Sequence, residues 1–161
     1  MKKDVAIIMG SVSDDKVMDQ AAKILKEFQI SFEKTVVSAH RTPEYMQEFA
    51  LTLEERGTKV VIAGAGGAAH LPGMVAALCS IPVIGVPIGL KYLSGMDSLL
   101  SIVSMPKGVP VATVAIDNAT NAALLAARIL GISQPHILQA LKNYQITERD
   151  KSLNSSANLI P

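Results

Sequence analysis

Short β-like apolar runs alternate with helix-like segments along the whole chain. "VAIIM" (5–9) precedes a stretch in which Val17, Met18, Ala21, Ala22, Leu25 and Phe28 recur at helical spacing, which puts them on one apolar face. "FEKTVV" (32–37) precedes a second helix, predicted to have Thr42 as its N-cap, Pro43 at its first position and Gly57 just past its end. "VVIAG" (60–64) precedes "LPGMVAALCS", and "PVIGVP" (82–87) precedes "MDSLLSIVSM". "PVATVAI" (110–116) leads into an Ala/Leu helix from Asn118 to Leu130. A last amphipathic helix is predicted over about 134–149, followed by a polar tail over 150–161. With no internal repeat and no low-complexity linker, the chain reads as one domain over 1–161.

Five buried-looking strands separated by helices predict an α/β fold: a three-layer, doubly wound parallel sheet with a C-terminal helix. Such sheets bind ligands beyond the carboxyl ends of their strands, where the strand order reverses. Three unusual stretches fall at that edge. "GSVSD" (10–14) follows the first strand, "SAHR" (38–41) the second, and "AGAGGAAH" (63–70) the third. Together they predict a single site.

In "GSVSD", Gly10 permits a tight turn, Ser11 and Ser13 offer hydroxyls, and a helix is expected to begin near Asp14. Free N–H groups at a helix start favour an anion such as phosphate. The alternative is that Ser13 only caps the helix while Asp14 and Asp15 complement its dipole. The stretch is not a Walker loop, for it lacks the G-x-x-x-x-G-K-[ST] spacing, and it lacks the G-x-G-x-x-G glycines of a dinucleotide fingerprint. In "SAHR", Arg41 adjoins a helix start, where a cation meets the wrong end of the dipole; sharing a phosphate with the free N–H groups resolves that conflict. His40 at a strand's carboxyl end fits general acid/base work better than a core position. "AGAGGAAH" has no functional side chain before His70, and its lack of bulk lets backbone approach a flat ligand. His70 reads equally well as a site or a structural residue. His136 and Cys79 are expected to have no function.

Composition narrows the partners. Among 161 residues, aromatics make up only 4%, so the core is expected to rest on Val, Ile, Leu, Met and Ala. Between Val60 and Leu130 the charged residues are only Lys91, Asp97, Lys107, Asp117 and Arg128. That scarcity, together with the almost wholly apolar "NAALLAARIL" helix, predicts that part of this segment faces other copies of the chain. A net charge of +1 gives no case for nucleic acid or an anionic membrane surface. The uncharged run 60–90 is not a membrane span, because six glycines and Pro72, Pro82 and Pro87 break it up. One cysteine, and no signal-peptide pattern in "MKKDVAIIMG", predict a reducing cytoplasm. No metal-ligand spacing and no G-x-S-x-G elbow is present, and the third strand lacks the acidic residue that a phospho-accepting receiver would carry.

"MGSVSD", "VVSAHRTP", "IAGAGGAAHLPGMVAA", "PVIGVP" and "DSLLSIVSMPKGVPVATVAI", in this order and spacing, resemble the PurE family of purine biosynthesis along almost the whole chain. The resemblance implies a flavodoxin-like three-layer fold, a homo-octamer, and no cofactor or metal. It implies a ribonucleotide substrate and one of two reactions. In the first, a mutase moves a carboxylate from the exocyclic nitrogen of N5-carboxyaminoimidazole ribonucleotide to C4; in the second, aminoimidazole ribonucleotide is carboxylated with free CO2. Arg41 in "SAHR" looks like the mutase branch. Carried over by resemblance, His40 matches the catalytic histidine, and Ser11, Asp14 and Arg41 match substrate-binding positions. Ser13, Ser38, Gly66, Ala68, Ala69, His70 and Leu71 match positions lining the pocket. Ser104 and Asp117 depart from the commoner family residues. Two other classes fit the fold alone: a flavin- or nucleotide-binding protein without catalysis, and a purely structural oligomer.

Overall fold

The computed structural model describes residues 2–157. Five parallel strands, β1 (Val5–Met9), β2 (Phe32–Val36), β3 (Val60–Gly66), β4 (Val83–Ile88) and β5 (Ala112–Thr113), lie in the order β2-β1-β3-β4-β5. Between them run α1 (Asp15–Glu27), α2 (Pro43–Leu51), α3 (Leu71–Ala76) and α4 (Met96–Val103); α5 (Ala119–Gly131) and α6 (Pro135–Ala157) follow β5. The chain turns one way from β1 to β2 and the other way from β1's far side to β3. The reversal therefore falls between β1 and β3, where Val5 pairs with both Phe32 and Val60. This is the doubly wound architecture expected from the alternation of apolar runs.

Period-two alternation divides the sheet between two cores. Val5, Ile7, Met9, Val60, Ile62, Ile84 and Val86 face α1, α5 and α6. Ala6, Ile8, Val61, Ala63, Ala65 and Val83 face α2, α3 and α4. The expected apolar face of α1 is buried as predicted, except that Val17 is only half-buried and Ile24 joins the core. Gly64 is needed for this seating, because a Cβ there would run into the Met18 side chain.

Four expectations about elements are corrected. β2 and β5 are not buried strands: they are the sheet's two edges, and Lys34 and Val36 of β2 are exposed. β5 pairs only Ala112 with Ile84 and Thr113 with Gly85, far short of the predicted 110–116, since Pro110 has no N–H to give and the chain soon turns at Asp117. Helix α6 runs to Ala157 rather than ending near 149, so residues 150–157 are not a separate tail; residues 158–161 lie outside the described ones. Side-chain bonds one turn apart carry it onward: Thr147 Oγ1 to Asn143 O, Lys151 Nζ to Glu148 Oε1 at 2.7 Å, and Ser155 Oγ to Lys151 O at 2.9 Å. Finally, the apolar character of α5 is used within the chain. Ala119, Ala122, Ala123, Ala126, Ala127 and Leu130 are all buried against the sheet, α1 and α6. A group of exposed apolar side chains lies instead on α4 and the loop before it, at Tyr92, Leu93, Met96, Leu100 and Val103.

Candidate active site

The carboxyl ends of β1, β2, β3 and β4 enclose a cleft of about 320 Å³, within the size range of small-ligand sites. Of the sequence candidates, Ser11, Ser13, Asp14, Ser38, His40, Arg41, Gly66, Ala68, His70 and Leu71 line it. Ala69 does not. Its side chain is turned into the core under α2 and α3 and is 1% exposed. Gly10, Ala39 and Ala65, which fall within the three predicted stretches without being named as site residues, also line the cleft, as does Leu90, which lies outside them. Leu90 follows β4, so the rule that named three strand ends would have named it had it been carried to the fourth.

Local bonding shapes each loop. After β1 the chain makes a single tight turn at Val12–Asp14 before α1 begins at Asp15, and Ser11 rather than Ser13 caps that turn, its Oγ accepting from Ser13 N–H at 3.4 Å. Ser13 Oγ donates to Asp14 Oδ1 at 3.1 Å. Asp14 is 7% exposed, and burial raises its carboxyl above the ordinary 3.8, against the lowering effect of hydrogen bonds from the Ser13 hydroxyl and the Ser11 backbone. A buried acid without a cation beside it is costly, and this one lies at a cleft wall. After β2, Ser38 Oγ accepts from Arg41 N–H at 3.2 Å, and Thr42 N–H and Oγ1 both donate to Ser38 O at 3.0 Å. Thr42 sits at the N-cap position as predicted, but its hydroxyl closes this turn instead of capping α2. The turn leaves Arg41 exposed, and its guanidinium forms no ion pair among the described residues.

The two histidines meet. His40 Nε2 lies 2.8 Å from His70 Nδ1, with the rings edge to face at 84°. At that distance one nitrogen carries the proton and the other accepts it, so the pair can pass a proton between a ligand and a second ring. Sequence reasoning left His70 open between site and structure; the contact puts it beside His40 in the cleft. Among the described residues no cluster of His, Cys, Asp or Glu could hold a metal ion. No helix among them is long and apolar enough to cross a membrane.

Fold and cleft together define a small-molecule enzyme of the doubly wound α/β class, with a serine-capped turn and a pair of histidines in contact lining one cleft. Residues 4–151 match the family model described as AIR carboxylase, and the chain belongs to that family. An N5-carboxyaminoimidazole ribonucleotide mutase of Pyrococcus horikoshii is 65% identical over 140 residues, 87% of this chain and 79% of that protein. The mutase of Thermotoga maritima is 59% identical over 155 residues, 96% of this chain and 91% of its own. A phosphoribosylaminoimidazole carboxylase of Candida albicans is 56% identical over 96% of this chain, which spans only 27% of that longer protein. Among solved structures, a PurE of Treponema denticola superposes with a TM-score of 0.88 at 30% identity, covering 98% of both chains.

Proposed function

We propose that the enzyme interconverts N5-carboxyaminoimidazole ribonucleotide and 4-carboxy-5-aminoimidazole ribonucleotide, an isomerisation within purine biosynthesis. The observation that carries this reading is the His40–His70 pair lining the same cleft as Arg41 and Asp14. Arg41 takes the phosphate, helped by the hydroxyls of Ser11 and Ser13. Asp14 offers acceptor oxygens to the ribose hydroxyls, which replaces the water its carboxylate has lost. Ser38, Gly66, Ala68 and Leu71 shape the walls around the imidazole.

The chemistry balances without a cofactor or metal. The nitrogen–carboxylate bond breaks, its electron pair staying on nitrogen, and CO2 is released into the cleft. C4 attacks that CO2 and forms the new carbon–carbon bond. His40 removes the C4 proton, and one proton returns to the amine, so the sum is an isomerisation. The 2.8 Å approach of the two ring nitrogens supports His70 as the group that holds or shares His40's proton between these steps.

The second reading, carboxylation of aminoimidazole ribonucleotide with free CO2, shares most of these steps. Arg41, and the mutase names of relatives similar in length to this chain, favour the first. Assaying the purified protein with N5-carboxyaminoimidazole ribonucleotide, and separately with aminoimidazole ribonucleotide plus bicarbonate, decides between them. The mutase reading expects turnover of the first at a rate the second does not approach.

The reading includes a cytoplasmic homo-octamer. The exposed apolar residues Tyr92, Leu93, Met96, Leu100 and Val103 support burial against other copies. Burial also pushes the Cys79 thiol up, which suits a cysteine kept reduced. Light scattering that gave a stable 17 kDa species would overturn the assembly.

A further inference from the structure

The ladder between β3 and β4 ends in an unusual way. Val61 N–H donates to Pro82 O at 2.9 Å, and the register runs on from Val61↔Val83 to Gly66↔Ile88. Parallel pairing alternates, so the peptide groups of residues 61, 63 and 65 point to β4 and those of 62, 64 and 66 point to β1. Gly10 N–H donating to Gly64 O at 3.2 Å fits that alternation. The next rung toward β4 would join Gly67 N–H to Ile88 O. Instead, a hydroxyl stands in the gap. Gly67 N–H donates to Ser98 Oγ at 2.8 Å, and Ser98 Oγ donates to Ile88 O at 2.7 Å.

Ser98 belongs to α4, is 0% exposed, and so is shielded from the cleft's contents. One turn further along α4, Ser101 Oγ lies 3.2 Å from Gly67 O and 2.7 Å from Asp97 O, between which it shares its one proton. Two hydroxyls on one helix therefore grip the same residue, which takes φ +68, a conformation that favours glycine. Inserting an oxygen into the rung spreads the ends of β3 and β4. It turns the chain at Gly66–Gly67 and leaves the Gly66 peptide groups facing the cleft beyond the end of β1. Leu90, just past β4, closes over Gly66, since a Cβ on Gly66 would come within 3.2 Å of its methyl carbon.

We infer that Ser98, supported by Ser101, is a positioning residue for carboxylate transfer: it sets the Gly66–Gly67 bend that walls in CO2 between its release and its recapture. This rests on the carboxylate-transfer reading above. CO2 is small and uncharged, so only a gap-free wall retains it. Without the Ser98 hydroxyl, Gly67 N–H and Ile88 O either close into a direct rung or admit water, and both outcomes reshape the wall. Recapture then competes poorly with escape. In the escape branch the nitrogen–carboxylate bond breaks, the nitrogen takes up a proton, CO2 leaves to solvent, and C4 keeps its hydrogen. The product is aminoimidazole ribonucleotide.

The test supplies N5-carboxyaminoimidazole ribonucleotide to the intact wild-type protein and to Ser98→Ala, Ser98→Thr and Ser101→Ala. Rearranged and decarboxylated products are both counted above the enzyme-free background. Ser98→Ala should lower the ratio of rearranged to decarboxylated product by roughly 10–100-fold, the scale on which small misplacements act, with KM little changed. Ser98→Thr, which keeps the hydroxyl, should restore the ratio in part, and Ser101→Ala should shift it less than Ser98→Ala. A folded Ser98→Ala protein with the wild-type ratio overturns the inference. If Ser98→Ala does not fold, an unchanged ratio in Ser101→Ala overturns it. A wild-type protein that rearranges nothing defeats the functional reading, and this inference with it.

Discussion

The half of the cleft built after β1 and β2 presents side chains, whereas the half built after β3 and β4 presents backbone. On the first side stand Ser11, Ser13, Asp14, Ser38, His40 and Arg41. On the second side, His70 is the one titratable group among the lining residues, and the rest are Ala65, Gly66, Ala68, Leu71 and Leu90. The polar half is held by bonds within its own loops, such as Ser38 to Arg41 N–H. The bare half is held from behind by α4 and by Asp117, which accepts Gly89 N–H at 2.7 Å. Under the proposed function, replacing a residue on the first side removes a contact with the ligand. On the second side a replacement changes the shape the ligand meets. Binding and chamber geometry are thus separable by mutation.

The largest expected effect tests the polar half. His40→Asn keeps a similar shape and some hydrogen bonding but cannot relay a proton, so kcat should fall at least 10²–10⁴-fold, the usual worth of a positioned acid/base. Product binding measured in the same variant should hardly change, because Ser11, Asp14 and Arg41 remain. Near wild-type turnover would transfer the role to His70. Next comes Arg41→Ala, which should raise KM by roughly 10–150-fold, corresponding to about 1.5–3 kcal/mol for a charge-assisted contact. Arg41→Lys should fall between, since an ammonium cannot make the two-pronged bond. An unchanged KM in steady-state kinetics would place the phosphate elsewhere.

Asp14→Asn should move binding and stability in opposite directions. Burial raises the folded carboxyl's pKa above its ordinary 3.8. The folded state then holds its proton to higher pH than the unfolded chain does, so stability falls as pH rises from about 3.8 through the folded value. Above that window the cost of a buried charge is fully present; below it the cost is gone. Urea unfolding of the free protein should show Asp14→Asn more stable than wild type at pH 7, with the gain fading under acid conditions, while ligand affinity drops. A variant less stable at pH 7 would contradict the assignment.

The smallest effect probes the bare half from its far support. Asp117 has φ +57, and it holds the loop that carries Leu90. Asp117→Ala loses the acceptor and tolerates that backbone less well, a change of about 1–2 kcal/mol in unfolding free energy. Asp117→Asn keeps an acceptor oxygen and should lie within about 0.5 kcal/mol of wild type. Equal losses in the two variants would show that the bond to Gly89 contributes nothing.

The order of the elements and the edge carrying the site were legible because they depend on local signals: apolar period, Pro43 at a helix start, and glycines at strand ends. His40, Arg41 and Asp14 could be read as a group once the switch-point rule placed their loops together. Burial of a strand was less readable. "PVATVAI" is apolar enough for a sheet interior, yet pairing on only one side exposes it, whereas in "FEKTVV" the charges of Glu33 and Lys34 were the available sign of an edge strand. α6 runs past its expected end through a segment whose serines read as loop formers, yet Ser155 bonds to the Lys151 carbonyl one turn back within the helix. Ser98 gave no signal at all. In "MDSLL" it looks like an ordinary helix residue, and its role exists only because α4 packs where β3 and β4 separate.

The strand order also has a consequence for how the protein comes into being. Each residue that lines the cleft, and both α4 hydroxyls behind it, precede Ile102 in the chain. The helices that cover one face of β1 and β3 together with α1, namely α5 and α6, are made after all of these residues. At ribosomal speeds of roughly 5–20 residues per second, the finished cleft sequence waits on the order of seconds for its buttress. During that interval Val5, Ile7, Ile62 and Ile84 have only α1 to cover them. The catalytic mouth is therefore written early but becomes rigid late, when the alanines of α5 arrive to seal the sheet.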